Sequence, residues 1–513
     1  MHRLDATAAS AGHLPRNTLL AEERMWMRGP SWSRPTQRRG RKPVTPRHSH
    51  HGIAFCTMDK PKASRLVRYP IYTIGDLSSG IYSVTPSILL MFYMTNILGI
   101  SVGLATLAVV LPKIVDLISS PVVGGMSDRT STSVGRRRPY ILFAGLTILP
   151  TFGFIWGAPF GSPFASACFV IAIFSVCTFC YSCFLVPYCA LNSEIATGYH
   201  DSTALNSYRA VYSMLGCVLA GAGAPLIVEK FGGGRPGYLA MGIVMGSVMA
   251  ASVTTTFFAS REPRRHVDGQ RLTKAEIWRA LVNNRPFLLL LFSYVLHVVG
   301  GGVVGATLAY FVTYVLHRDT DFLSLLFFLT FGASVAAIPL FVHLGKLVGK
   351  FGSFAVALVV AGTAALGYLM VHRATPVPFV LAIATVLGMS EGGIQVFAYS
   401  MLADCIKHGD KRGDAPQAEA VLSGVFVAGE KLGFALGALV AGGLFALAGL
   451  TETQEGFVEQ PNSAIWSIRL AVSVIPMVVN VLAVILFWFY RPFDLRIVAP
   501  APTELHSEQP SVS

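Results

Sequence analysis

Residues 103–140 read GLATLAVVLPKIVDLISSPVVGGMSDRTSTSVGRRRPY, and this stretch decides the fold. From Gly103 to Met126 it is long and apolar enough to cross a hydrocarbon core of about 30 Å as a helix. It then stops on Ser127, Asp128 and Arg129, and Arg136, Arg137 and Arg138 precede the next apolar run. A soluble helix would carry charge along one face, whereas the ionisable residues inside this span are only Lys113 and Asp116. The segment reads as a membrane helix with a basic turn at one end.

Outward from it the pattern repeats. Apolar stretches of similar length cover 71–98, 103–126, 139–159, 167–191, 207–228, 238–258, 286–315, 322–344, 353–371, 378–403, 418–446 and 465–490, which predicts twelve membrane helices. Composition agrees: 53% of the 513 residues are hydrophobic and 13% are charged, about half the charged share of a soluble protein. The net charge of +13 is concentrated at the front, where residues 1–57 hold ten Lys and Arg against three Asp and Glu. That segment has no apolar core of a signal peptide and no aromatic interleaving, so it is expected to be a disordered basic extension or a mis-assigned start, with no nucleic-acid partner.

Lys and Arg set the orientation. Alternate loops hold Arg129 and Arg136 to Arg138, then Arg209, then seven basic residues from Arg261 to Arg285, then Lys346 and Lys350, then Lys407, Lys411 and Arg412. The other loops hold Lys230, Arg235, Arg318 and Arg373. Both termini are therefore expected in the cytoplasm, in a plasma or inner membrane. The polar stretch 260–285 splits the spans into halves, 58–259 and 286–493, and a tail of 494–513 follows. Gly124-Gly125-Met126-Ser127-Asp128-Arg129 after the second span is echoed by Gly345 to Gly352 after the eighth, six helices later. An all-α polytopic protein with two six-helix bundles follows, the layout of a secondary transporter whose substrate site lies between the halves.

The run Asp116 to Tyr140 resembles the glycoside-pentoside-hexuronide:cation symporters of the major facilitator superfamily. Val186-Pro187-Tyr188 through Glu194, then Ser207-Tyr208-Arg209, is similar to that family's block after helix four, and Ala403-Asp404 with Glu430-Lys431-Leu432-Gly433 to its helix ten to eleven region. The resemblance covers residues from about Tyr69 to Phe493. It implies the major facilitator fold and uptake of a sugar or glycoside coupled to H+ or Na+, with no other cofactor. It also implies that Lys431 faces the cation-binding carboxylate and that Arg209 approaches the substrate. Melibiose-type relatives carry a second helix-two carboxylate and sugar-binding aspartates on helices one and four. The matching positions here are Ser120, Gly80 and Leu185, which puts a galactoside in doubt.

Charge inside a bilayer is costly, so each buried ionisable group is a candidate for function. Asp116 is expected to hold the coupling cation, with Ser119 and Ser120 on its helical face and the Leu117 carbonyl freed by Pro121. Lys431 is its expected partner; a plain structural ion pair with Lys113 or Lys431 is the alternative. Substrate candidates are Asp76, Arg209, Glu391, Gln395 and Asn480, although Asp76 would equally cap a helix and the amides would equally join helices. Asp128, Arg129, Arg136, Arg137 and Arg138 are expected to form a cytoplasmic gate. His297 reads as a satisfied interior histidine. Cys177, Cys180 and Cys183 form a stripe on one helix and are not expected to bind metal.

The expected function is therefore cation-coupled sugar or glycoside symport by a monomer in the bilayer. A lysolipid or other amphiphile carrier is the alternative within the same fold. A membrane enzyme or sensor would need a catalytic motif, and H-E-x-x-H, G-x-S-x-G and a Walker loop are all absent from the sequence.

Overall fold

The computed structural model describes residues 68–195, 199–260, 274–410, 418–453 and 458–493. The readings made for 1–57, for 494–513 and for the basic residues Arg261 to Arg271, Lys411 and Arg412 lie outside the described residues.

Among the described residues the regular structure is helical. In the first half, α1 comprises Arg68–Thr73 and Asp76–Asn96, α2 is Val102–Arg129, α3 Arg138–Ile155 and α4 Pro163–Ile195. Helix α5 runs through Tyr199–Val218, a π-turn at Leu219–Gly223 and Ala224–Lys230, and α6 is Gly234–Ala259. A short linker helix, Lys274–Asn283, leads to α7, which joins Arg285–Tyr310 to a π-turn at Phe311–Val315. Helices α8 and α9 lie within Thr320–Gly367, which is non-helical at Gly349, followed by α10 at Val377–Asp410, α11 at Ala418–Ala448 and α12 over Asn462–Val472 and Val474–Trp488.

Among the described residues eleven helices are long and apolar enough to cross a membrane, one fewer than the sequence predicts. The difference lies in Thr320–Met370, whose 51 residues would span about 76 Å as one helix, against a core of about 30 Å. Gly349 breaks it with φ 79° and ψ 169°, a backbone conformation that favours glycine. On one side of the break Thr330 Oγ1 donates to the Ala384 carbonyl at 3.4 Å. On the other, a Cβ built on Gly367 would stand 3.1 Å from Ile383 Cδ1. Residues 330 and 367 thus touch neighbouring residues of α10, which requires α8 (320–348) and α9 (350–367) to fold back on each other. The chain makes twelve crossings.

Without a hydrophobic drive between helices in lipid, close backbone approach through small residues does much of the packing. A Cβ on Gly80 of α1 would fall 2.2 Å from the Ser213 carbonyl oxygen of α5, and one on Gly216 would fall 2.3 Å from that of Leu77. The second half repeats the device between α7 and α11: a Cβ on Gly437 would lie 2.4 Å from the Val299 oxygen and 2.7 Å from Gly302 Cα. Since α7 and α11 stand six helices after α1 and α5, the two bundles share an internal pattern of contact. Large apolar side chains such as Leu146, Phe258 and Leu447 remain exposed, as expected of a surface solvated by acyl chains.

The halves meet at the end remote from the basic loops. There Tyr310 Oη and Thr95 Oγ1 are 2.6 Å apart, Tyr314 Oη donates to Asn96 Oδ1 at 2.8 Å, and the Thr453 amide donates to the Thr95 carbonyl at 3.0 Å. The Val102 amide donates to Glu452 Oε1 at 3.0 Å, and Gly221 in the α5 π-turn makes room for Phe331 of α8. At the basic end two described charged pairs each lie within one half: Arg137 with Asp128 at 3.5 Å, and Lys350 with Asp404.

Candidate functional site

Among the described residues an ion pair crosses between the bundles at mid-depth. Lys431 Nζ of α11 donates to Asp116 Oδ2 of α2 at 2.6 Å, and the Asp116 side chain is 4% exposed. Its other oxygen, Oδ1, accepts from Ser182 Oγ of α4 at 3.0 Å and from Ser120 Oγ at a long 3.4 Å. Ser119 does not touch the carboxylate, contrary to the expectation from its place on the same face. Its hydroxyl lies 2.9 Å from Ser182 Oγ and 3.2 Å from the Asp116 main-chain oxygen, because neighbouring α4 offers a better partner than the i−3 side chain. Lys113, one turn earlier on α2, stands over the Tyr82 ring at 5.7 Å, so two cations share the neighbourhood of one carboxylate. Two serine hydroxyls and a lysine of the other half therefore meet at one carboxylate, with the Ser119 hydroxyl bonded to Ser182 behind it. The set suits a hard cation or a proton once Lys431 withdraws.

A second buried network lies toward the basic end of the first half. Arg209 of α5 donates from Nε to Asp76 Oδ2 at 2.7 Å and from Nη2 to Oδ1 at 3.3 Å, a two-pronged contact with a carboxylate 5% exposed. Tyr188 Oη of α4 donates to the same Asp76 Oδ2 at 2.6 Å, and the guanidinium lies over its ring at 5.0 Å. Asn192, its oxygen facing the guanidinium, accepts from Arg209 at 2.9 and 3.1 Å and donates to Tyr72 Oη at 3.0 Å. Asp76 and Arg209 thus neutralise each other instead of presenting bare charges. Asp76 carries no cap bond and is held by tertiary contacts. Gly80, the counterpart of a sugar-binding aspartate in melibiose-type relatives, is filled by α5 and has no room for any side chain.

In the second half, His297 of α7 is 5% exposed and lies between two neighbours. Its Nδ1 is 2.8 Å from Asn480 Oδ1 of α12, and its Nε2 is 3.1 Å from Glu391 Oε2 of α10. Asn480 is buried, with its oxygen facing the histidine, so in this structure it joins α12 to α7, the helix-joining alternative expected for the amides. Glu391 is 44% exposed, and Gln395 one turn further on is exposed. Beside them Tyr399 Oη donates to Glu430 Oε2 at 2.8 Å.

The expected gate residues divide. Arg137, nearly buried, reaches Asp128, while Arg138 turns to the other side, donating to the Phe257 carbonyl at 3.3 Å and covering the Phe257 ring. Arg129 is exposed. The compact part of the network is therefore Asp128 with Arg137, and Arg138 staples α3 to α6.

Sequence reasoning missed Ser182 and undervalued Tyr188, His297 and Glu430. Ser182 gives no signal of its own, since a hydroxyl in an apolar helix usually bonds its own backbone. Tyr188 sat in a quoted block, but its partner Asp76 is 112 residues away.

Several comparisons bear on the fold and the site. The symporter YnaJ of Bacillus subtilis, which is itself described as uncharacterized, is 23% identical over 82% of this chain and 90% of its own length. The isoprimeverose transporter of Lactiplantibacillus pentosus is 22% identical over 82% of this chain and 87% of its own. Among solved structures, an inward-facing bacterial homologue of the human lysosomal transporter Spinster superposes with a TM-score of 0.61 at 14% identity, covering 85% of this chain and 98% of its own. That likeness shows the fold: two six-helix bundles of the major facilitator type. Proteins of this description are transporters, not enzymes. With twelve crossings, paired bundles and a mid-depth ion pair between them, and with the family described as MFS/sugar transport protein matching residues 71–492, the chain belongs to that family.

Proposed function

We propose that the protein is a symporter that couples entry of a cation, a proton in preference to sodium, to uptake of a neutral, polyhydroxylated sugar or glycoside. The observation that carries this reading is the Asp116–Lys431 pair, because it joins the two moving halves through groups that a cation can separate. A cation arriving at Asp116 neutralises the carboxylate and releases Lys431, which changes the balance between conformations. Ion and substrate then bind with a reciprocal coupling free energy of about 1 to 3 kcal/mol. A proton needs only the carboxylate; sodium would need the serine oxygens to close around it, and the Ser120 contact at 3.4 Å is loose.

A neutral substrate fits the mutual neutralisation of Asp76 and Arg209, in which the buried carboxylate is satisfied and the partly exposed guanidinium is left to hydrogen-bond hydroxyl groups. Arg209, Glu391 and Gln395 are the groups proposed to do so. The similarity to an isoprimeverose transporter supports a sugar. The test is uptake by the purified full-length protein in vesicles, across a panel of sugars and a lysolipid. Saturable uptake of a sugar is expected. Saturable uptake of the lysolipid with no response to any sugar would replace this reading with an amphiphile carrier.

The basic loops are proposed to be cytoplasmic, which puts the described contacts between the halves, Thr95 with Tyr310 and Asn96 with Tyr314, on the outer side, as in an inward-facing carrier. In a background with the native cysteines replaced, Gly161→Cys and Gly233→Cys should react with an impermeant thiol reagent from outside and Ser131→Cys should not. The opposite labelling pattern would invert the topology. Asp128 and Arg137 would then belong to a gate that closes on the other half in the outward-facing state. Asp128→Asn should lower turnover several-fold and leave equilibrium substrate affinity within about twofold, because a state balance shifts while the site stays intact. Lost binding at normal turnover would place Asp128 in the substrate site instead.

A further inference from the structure

Apart from Glu391, proposed above as a substrate contact, the His297 cluster of the second half has no part in the coupling just described, and its hydrogen bonds raise the question of where a proton sits. With the Asn480 amide placed oxygen-first toward the ring, Oδ1 can only accept, so the 2.8 Å contact puts the hydrogen on His297 Nδ1. The other ring nitrogen faces Glu391 Oε2 at 3.1 Å. A neutral imidazole with its hydrogen on Nδ1 carries a lone pair on Nε2, and an ionised Glu391 would set a second lone pair against it. That arrangement is repulsive. The observed geometry therefore holds one proton between Nε2 and Oε2, either as imidazolium with carboxylate or as imidazole with carboxylic acid.

Charge accounting points the same way. Around Asp116 the cations Lys113 and Lys431 already outnumber the carboxylate. Around His297, with the imidazole neutral, two carboxyl groups face one cation: Glu391 comes from α10 and Glu430 from α11, with the neutral Tyr294 of α7 and Tyr399 of α10 beside them, Lys431 acting on Glu430 from α11, and α12 contributing the amide of Asn480. A proton on the His297–Glu391 pair offsets that excess. The histidine is sealed while the carboxylate is 44% exposed, so the pair has one buried end and one end that can exchange. When the proton leaves, the Nε2 to Oε2 contact turns repulsive and Glu391 must move away from α7, which ties the packing of α10 against α7 to protonation.

We propose that His297 and Glu391 form a proton-binding site of this carrier, separate from Asp116, whose loading holds α7 and α10 together. Its meaning in a transport cycle rests on the symport reading, but its existence does not, so the test uses no substrate. Difference infrared spectra of the purified full-length protein are recorded across a pH titration in heavy and light water. The expected result is a titrating band from this pair that survives in Asp116→Asn, disappears in Glu391→Gln and shifts in His297→Gln, with all three variants correctly folded by thermal stability. Glu391→Asp, which keeps a carboxyl group, should retain a displaced band. An unchanged titration in both Glu391→Gln and His297→Gln would overturn the proposal and leave the cluster a polar link between helices. Loss of the band in Asp116→Asn alone would also overturn it and move the titrating proton to α2. Failure of every sugar in vesicle uptake, with the titration as expected, would remove the symport reading and leave this site standing.

Discussion

Vesicles containing the Asp116→Asn carrier are expected to equilibrate substrate across the membrane without concentrating it. The amide is isosteric with the carboxylate and mimics its neutralised state, so the halves can still exchange conformations. It cannot signal whether a cation is present. Gradient-driven accumulation should fall to the equilibrium level, while downhill exchange persists at a reduced rate. Lys431 loses its counter-charge but is one-third exposed, so water can solvate it and the fold should survive. The reverse change is harsher. Lys431→Ala leaves an Asp116 that is 4% exposed without its cation, and breaking a buried pair from that side costs about 3 to 5 kcal/mol. Accumulation by Asp116→Asn equal to that of the parent would move the coupling site elsewhere, with the Glu391 cluster next in line.

The second large effect concerns a residue that does no chemistry. Comparison with melibiose-type relatives invites the restoration of a helix-one carboxylate through Gly80→Asp. That substitution should abolish folded protein instead of creating a sugar contact. Its Cβ would meet the Ser213 oxygen at 2.2 Å and the Cys217 nitrogen at 2.4 Å, both backbone atoms that cannot rotate away. Overpacking typically costs about 1 to 3 kcal/mol where side chains can shift, and here a buried carboxylate is added to it. Gly216→Ala should be similarly damaging, since the contact is mutual. Normal membrane levels and thermal stability for Gly80→Asp would show that α1 and α5 do not meet as described.

These two residues also show what the sequence makes legible. Membrane crossings are visible because each needs about 20 apolar residues in a row, a local property. Only the hairpin at Gly349 escaped a count by helix length, and there the sequence reading of two spans agrees with the folded-back geometry. Asp116 and Lys431 stood out because charge within an apolar stretch is rare, and the bond between them spans 315 positions. Ser182, by contrast, is an ordinary residue whose role comes from the approach of α4 to α2. For Asn480 the sequence left a sugar contact and a bond to a neighbouring helix equally open, and the approach of α7 supplies His297 as a partner. The glycines carried a signal with two meanings, a missing carboxylate or a close contact, and only packing separates them. Polar residues that serve each other across helices cannot be told from those that serve a substrate until the helices are placed.

The most direct test of the central claim is accumulation of a transported sugar by the parent protein in vesicles, with proton and sodium gradients imposed one at a time. Uptake above equilibrium driven by the proton gradient, abolished by Asp116→Asn and unaffected by sodium alone, is the predicted result. Equilibration without accumulation under either gradient would contradict cation coupling and leave a facilitator in its place.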